Sequence, residues 1–232
     1  MVIGNGMIAT RFAAYSAKKD ISVFASGVSN STSGAEEDFK REITLLTNCI
    51  QQYPEQLLVY FSTCSIYDMS LQDSAYVQHK LYIEDLIRQQ VAHYLIFRVS
   101  NPVGFTSNPH TLLNYLVQHI VNKQPFNAWE YASRNIIDID HMFFICDALI
   151  KNQPHPSRII NIANPVNYPV ISIIDHIEQH FQKKANYTLL TKGNSPLIDT
   201  TEIQPIFESL QIHFDKDYLV RVLKKYYPLH DL

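Results

Sequence analysis

Cysteine is scarce in this 232-residue chain, and the three present, Cys49, Cys64 and Cys146, lie far apart with no CxxC and no Cys/His ligand spacing. That excludes a disulfide framework or a zinc site as the organising device, and it suits a reducing compartment. Excess positive charge is lacking too: 19 Lys and Arg against 22 Asp and Glu give a net charge of −3, with the basic residues scattered. Without a basic patch, neither nucleic acid nor an anionic membrane surface is an expected partner. No apolar stretch approaches the roughly 18 residues that a bilayer span needs, and the strand-like run beginning at Met1 argues against a signal peptide ahead of it. Internal repeats and low-complexity tracts are absent. The chain therefore reads as soluble and cytoplasmic, with small-molecule partners.

What is present is an apolar fraction of 46%, ordinary for a globular protein, in a length that suits one domain or a small core carrying a lobe. Four short apolar runs, Met1 to Ile3, Ile21 to Ala25, Leu57 to Phe61 and Tyr94 to Val99, alternate with amphipathic segments. This is the βαβ rhythm of a parallel sheet. After Pro102 the rhythm breaks into a helix around Leu112 to Val121, short strands near Asn135 to Ile139 and Ile159 to Ile162, and helices from Ile171 and Ile203. Pro125, Pro154, Pro156, Pro165 and Pro169 mark loops in that half.

Gly4-Asn5-Gly6-Met7-Ile8-Ala9 follows the first run and opens a helix. In a GxGxxG/A turn the glycines let a pyrophosphate approach helix N–H groups, and the small third position lets helix pack on strand; the same turn can also be merely structural. Only 57 positions separate Gly6 from Thr63, room for one strand and one helix, about Glu36 to Gln52. A full dinucleotide fold places three further strands before the catalytic one, at roughly 30 residues for each βαβ unit, so two are expected to be missing. The acidic residue that would hold the adenosine ribose has no clear counterpart, since Asp20 precedes its strand and reads as a turn residue.

The most specific signal is Tyr60-Phe61-Ser62-Thr63-Cys64-Ser65-Ile66-Tyr67 followed by Tyr76-Val77-Gln78-His79-Lys80. The YxxxK spacing sets tyrosine and lysine one turn apart on one helix face, an arrangement that also occurs by chance. Together the two segments resemble the (S/T)xxxY and YxxxK pair of extended short-chain dehydrogenases, the NAD-dependent epimerase/dehydratase family that modifies nucleotide sugars. Phe24 to Val28, Phe97 to Gly104, Arg134 to Asp140 and Ile160 to Ala163 resemble further family segments, so the likeness runs nearly the whole length.

The resemblance implies an α/β fold: a Rossmann-like parallel sheet lacking two strands over residues 1–101, and a small C-terminal substrate lobe with return elements to the sheet over 102–232. It implies Tyr76 as acid/base, Lys80 as its activator and Thr63 as the hydroxyl partner, with Ser62 and Ser65 as second choices. Gly4, Gly6, Met7, Ile8, Ala25, Ser26 and Lys80 would contact NAD or NADP, and Ser65, Asn101 and Arg134 the nucleotide-sugar substrate. Arg134 could instead tie down the lobe through Asp138 or Asp140, which read as caps or ion-pair partners. No metal is implied. None of the ten histidines forms a ligand cluster, and His79 and His141 read as solvated or packed.

Only 8 residues lie between Tyr67 and Tyr76, a shorter link than the family commonly has. The function expected is NAD(P)-dependent reduction, epimerisation or dehydration of a nucleotide sugar. The alternative is a cofactor-impaired sugar-nucleotide binding module or partner subunit. A homodimer is expected through helices Glu36 to Gln52 and Tyr76 to Gln90, with apolar contacts drawn from Ile43, Leu46, Ile50, Leu81, Ile83 and Leu86, some of which must instead face the sheet, and the first strand is expected at a sheet edge.

Overall fold

A computed structural model describes residues 1–28, 36–152 and 157–229. Along the chain, Val2–Ile3 forms β1, Met7–Arg11 α1, Ile21–Phe24 β2, Glu36–Gln52 α2, Leu57–Thr63 β3, Ala75–Gln90 α3 and Tyr94–Val99 β4. There follow Asn101–Val103 as β5, Leu112–Val121 as α4, Pro125–Trp129 as β6, Ser133–Asp138 as β7, Ile139–Lys151 as α5 and Ser157–Ile162 as β8. Asn167–Pro169 is β9, Val170–Phe181 α6, Asn186–Leu190 β10, Gln204–Ser209 α7 and Tyr218–Tyr226 α8.

The centre is a five-stranded parallel sheet in the order β1-β2-β3-β4-β8. Its strands are short apolar runs because both faces are covered. On one face Val23, Val59, Phe61, Leu95 and Phe97 pack with Phe12 and with α4, α5, α6 and α8. On the other, Phe24, Leu58, Tyr60 and Ile96 pack with Leu46 and Cys49 of α2 and Ile83 and Ile87 of α3. β1 pairs only with β2, so it stands at the edge as expected from the two missing strands.

Helix ends follow local chemistry. Glu36, Glu37 and Asp38 complement the dipole at the start of α2. The Ser74 hydroxyl accepts from Val77 N at 3.3 Å to cap α3, and the Asp138 carboxylate accepts from Asp140 N at 2.7 Å to cap α5. That cap is why β7 stops at Asp138, one residue short of the expected strand end.

Outside the sheet, β5, β7 and β9 make a three-stranded sheet and β6 pairs with β10. Of the six apolar residues considered for a dimer, Leu46 and Ile83 are the ones that face the sheet, fully buried, and Ile43, Ile50 and Leu86 pack beside them partly buried. Leu45 and Tyr82 are the large apolar side chains that these two helices expose. Among the described residues no helix is long and apolar enough to cross a membrane.

Candidate active site

β3 delivers Thr63 to its C-terminal end, where the chain turns through a 3-10 helix, Cys64–Tyr67. The Thr63 hydroxyl accepts from Ser65 N and donates to Ser65 Oγ, both at 3.0 Å. A second short 3-10 turn, Met69–Leu71, capped by Asp68, spans most of the abbreviated link and leads to Ser74 and α3. Tyr76 is buried with Val28 and Val77, and Ile66 of the turn packs on the same cluster. The spacing thus brings Tyr76 and Lys80 together on the buried side of α3, beside the turn that carries Ser65.

Lys80 makes its hydrogen bonds to groups other than Tyr76. Its Nζ donates to Glu42 Oε1 at 3.0 Å and to the Tyr60 hydroxyl at 2.9 Å, and lies 6.0 Å from the centre of the Tyr76 ring. Among the described residues the Tyr76 hydroxyl has no hydrogen-bond partner. Glu42 is fully buried and receives four donors, two on each oxygen: Lys80 and the Tyr60 hydroxyl, the latter at 2.6 Å, on Oε1, and Val28 N at 2.7 Å and His79 Nε2 at 3.0 Å on Oε2. Burial alone would raise its pKa; His79, Lys80, Tyr60 and Val28 outweigh burial and hold the carboxyl at about 2. Burial and the Glu42 charge push the Tyr60 phenol well above its ordinary range. His79 also stacks on Phe39 at 4.3 Å, so it is packed rather than solvated.

One turn further along α3, buried Glu84 accepts from the Ser62 hydroxyl at 2.6 Å and from Arg98 of β4. Arg98 Nη1 donates to the Tyr67 hydroxyl at 3.1 Å, and that hydroxyl donates to Asn161 Oδ1 at 2.9 Å. Ser62, a second choice for the catalytic hydroxyl, is therefore engaged by Glu84. Burial pushes the Cys64 thiol up to about 12, so it is a packed, protonated thiol.

Sequence reasoning missed Glu42, Tyr60 and Glu84. A signal for Glu42 existed: three residues after Phe39 and four before Leu46, it falls on the apolar face of α2.

The glycine turn has the geometry that a dinucleotide needs on one half. Gly4 has φ +130°, and a Cβ there would stand 2.4 Å from the Ala25 carbonyl oxygen, so only glycine lets the ends of β1 and β2 meet. A Cβ on Gly6 would meet nothing within 4 Å, which leaves open space at the turn. Met7 and Ile8 pack inward on the core, Met7 against Gly104. Ala25 and Ser26 are half-buried, and the Ser26 hydroxyl accepts from Arg41 Nη1 at 3.1 Å. The open space at Gly6 suits a phosphate approaching the turn. On the adenosine side β1 is the sheet edge, and no strand brings an acidic side chain beside it among the described residues.

In the second half, Asn101 donates from its side-chain amide to Asn135 O at 2.7 Å, binding the segment after β4 to β7. Arg134 pairs with neither Asp138 nor Asp140. Its Nη1 donates to Ser133 O and lies 3.7 Å from the Asp68 carboxylate, in the link that follows Thr63. Burial lowers its pKa, and Asp68 opposes that. Asp138 and Asp140 are a cap and ion-pair partners, as expected: Lys225 donates to both, at 2.8 and 2.7 Å, and Arg11 to Asp140 at 2.5 Å.

The pattern of the NAD dependent epimerase/dehydratase family matches residues 20–163. No curated protein matches. UDP-glucuronic acid 4-epimerase from Bacillus cereus, solved with UDP-glucuronic acid and NAD, is 15% identical with a TM-score of 0.71, over 90% of this chain and 74% of that one. UDP-glucose-4-epimerase from Stenotrophomonas maltophila, solved with NAD and formylated UDP-arabinopyranose, is 14% identical with a TM-score of 0.71, over 90% and 75%. RMD from Pseudomonas aeruginosa, complexed with NADPH, is 12% identical with a TM-score of 0.68, over 88% and 90%. At these identities the likeness is one of fold.

Proposed function

Because the chain belongs to the NAD dependent epimerase/dehydratase family, we propose that it is an enzyme that reduces, epimerises or dehydrates a nucleotide sugar with NAD or NADP. The observation that supports this is that Thr63 ends β3, at the C-terminal edge of a parallel sheet, where ligands bind, while Tyr76 and Lys80 lie one turn apart on the buried face of the following helix α3. Tyr76 exchanges a proton with a sugar hydroxyl, Thr63 hydrogen-bonds the same oxygen, and Lys80 favours the tyrosinate. Ser65 supports Thr63 through their mutual hydrogen bonds. A bound nicotinamide would supply the hydride chemistry. Gly4, Gly6, Met7 and Ile8 would form its pyrophosphate turn, with Ala25 and Ser26 on the nicotinamide side.

Residues 1–101 form the cofactor half and 102–232 the substrate lobe, with β8 returning to the sheet. Arg134 and Asn101 serve the substrate from the lobe side, Arg134 as a cation for the nucleotide phosphates. The protein is a cytoplasmic homodimer built through α2 and α3; three buried free cysteines accord with a reducing compartment. The edge position of β1 favours a second reading, a nucleotide-sugar binding module or partner subunit with impaired cofactor binding.

Titration with NADH and NADPH, followed by Trp129 fluorescence and calorimetry, separates the two readings. The enzyme reading expects saturable binding, weaker than about micromolar because the adenosine half has no wall. Nucleotide-sugar binding with no dinucleotide binding would support the second reading and overturn the first.

A further inference from the structure

Glu42 stands at the centre of the candidate site, yet no part of the proposed reaction uses it. Each of its oxygens accepts two hydrogen bonds, and the four donors come from three segments: Val28 after β2, Tyr60 on β3, and His79 and Lys80 on α3. If Lys80 swings away, Tyr60, His79 and Val28 still satisfy the carboxylate. The reverse does not hold. The Lys80 side chain is 3% exposed, and among the described residues the two acceptors of its ammonium are Glu42 and the Tyr60 hydroxyl, so it can leave only toward new acceptors.

Gly27 borders the pair. A Cβ on Gly27 would stand 2.6 Å from Lys80 Nζ and 3.0 Å from Glu42 Oε1, so the ammonium lies directly against the Gly27 backbone. Gly27 follows Ala25 and Ser26, the segment read as the nicotinamide side, and Val28 after it is held by the same carboxylate.

We propose that Glu42 is a positioning residue that restrains Lys80: the lysine serves Tyr76 and a bound dinucleotide only after leaving Glu42, so the carboxylate lowers cofactor affinity and links it to the turn at Gly27 and Val28. The proposal rests on the reading of this site as a nicotinamide-cofactor site. It makes the resting protein one whose activating charge is stored in an internal ion pair, and whose occupied state exposes a lysine that the free state hides.

The test is a binding cycle with NADH and NADPH on wild type, Glu42→Gln, Lys80→Met and the double variant, with folding checked by circular dichroism. Glu42→Gln is expected to tighten binding about ten-fold, about 1.4 kcal/mol. Lys80→Met is expected to weaken it by a similar factor, and the double variant to match Lys80→Met, because Glu42 acts through Lys80. A purely structural role for Glu42 predicts the opposite sign, weaker binding in Glu42→Gln. Equal or weaker binding by a folded Glu42→Gln overturns the restraint while leaving the cofactor reading intact. No binding by any variant overturns the cofactor reading and the restraint with it. The glutamine amide would set an N–H against Val28 N–H, so the wild type gives a second readout should that variant not fold. The Lys80 ammonium 15N resonance is expected to shift as NADH saturates the site, and an unmoved resonance at saturation overturns the proposal.

Discussion

Arg98 grips the Glu84 carboxylate at two points, Nε to Oε1 at 3.0 Å and Nη2 to Oε2 at 2.6 Å, riveting β4 to the middle of α3. Ser62 adds a third donor to the same carboxylate. Removing one partner from so buried a pair typically costs about 3–5 kcal/mol, because the other charge is left without compensation. Glu84→Ala should lose about that much in urea unfolding, and a loss below about 1 kcal/mol would show that solvent already screens the pair.

Acid should act on Glu42. Its pKa is about 2 in the folded chain against an ordinary 4.5, so between those values the unfolded chain binds the extra proton. The stabilisation is complete above about pH 4.5 and is lost as pH falls toward about 2, a span worth on the order of 3 kcal/mol. Urea midpoints taken from pH 6 to pH 3 should fall more steeply for wild type than for Glu42→Gln. Parallel curves would remove Glu42 from the acid response.

The two glycines of the first turn should separate. Gly4→Ala forces a Cβ onto the Ala25 carbonyl at positive φ, and should destabilise the fold by more than about 1 kcal/mol. Gly6→Ala meets open space at φ −79° and should leave the melting temperature nearly unchanged while weakening NADH binding. Unaltered NADH affinity in Gly6→Ala would remove the turn from the cofactor site.

Tyr76→Phe should abolish turnover and keep the fold, since only the hydroxyl is lost. Thr63→Ala should be milder, because Ser65 Oγ sits 3.0 Å from the lost oxygen. Steady-state rates decide the order, and a fully active Tyr76→Phe would exclude the tyrosine as acid/base.

For the proposed dimer, Leu45 and Tyr82 are the exposed large apolar side chains on α2 and α3, beside the partly buried Ile43, Ile50, Leu81 and Leu86. Light scattering at micromolar concentration should give a dimer for wild type and a monomer for Leu45→Glu with Tyr82→Glu. A monomeric wild type, or a dimeric double variant, rules out this interface.

The sheet was legible in sequence because its strands are apolar runs of the right length between amphipathic helices; α2 ends at the expected residues, and β4 coincides with the run from Tyr94 to Val99. The small strands β5 and β9, of three residues each, carry no period of their own and form only because their partner β7 is present. Helix α8 was readable from Tyr218, Leu219, Val222, Leu223 and Tyr226, but Arg221, Lys224 and Lys225 between them masked the stripe. At the candidate site, the resemblance put Thr63, Tyr76 and Lys80 forward; Thr63 ends β3, and Tyr76 and Lys80 lie on the buried side of α3. The resemblance could not show that Lys80 is claimed by Glu42, 38 residues earlier, since a glutamate on an apolar face has no sequence mark of its partner. The same limit hid Asp68 as the counter-charge of Arg134.

The strand order β1-β2-β3-β4 runs one way across the sheet, yet Phe12 and Tyr15, between β1 and β2, pack on the face opposite α2 and α3. The first crossover therefore has the opposite hand to the next two. Parallel crossovers are right-handed in about 98% of cases, which makes the first the exceptional one. That link is held by its neighbours, through Met1 N on Lys18 O and the β1–β2 ladder, and also from far along the chain. The distant contacts are Arg11 on Asp140, 129 residues on, and the Tyr15 hydroxyl on Asp147, 132 residues on. The unit that carries the glycine turn is thus tied by its side chains to α5, in the second half of the chain.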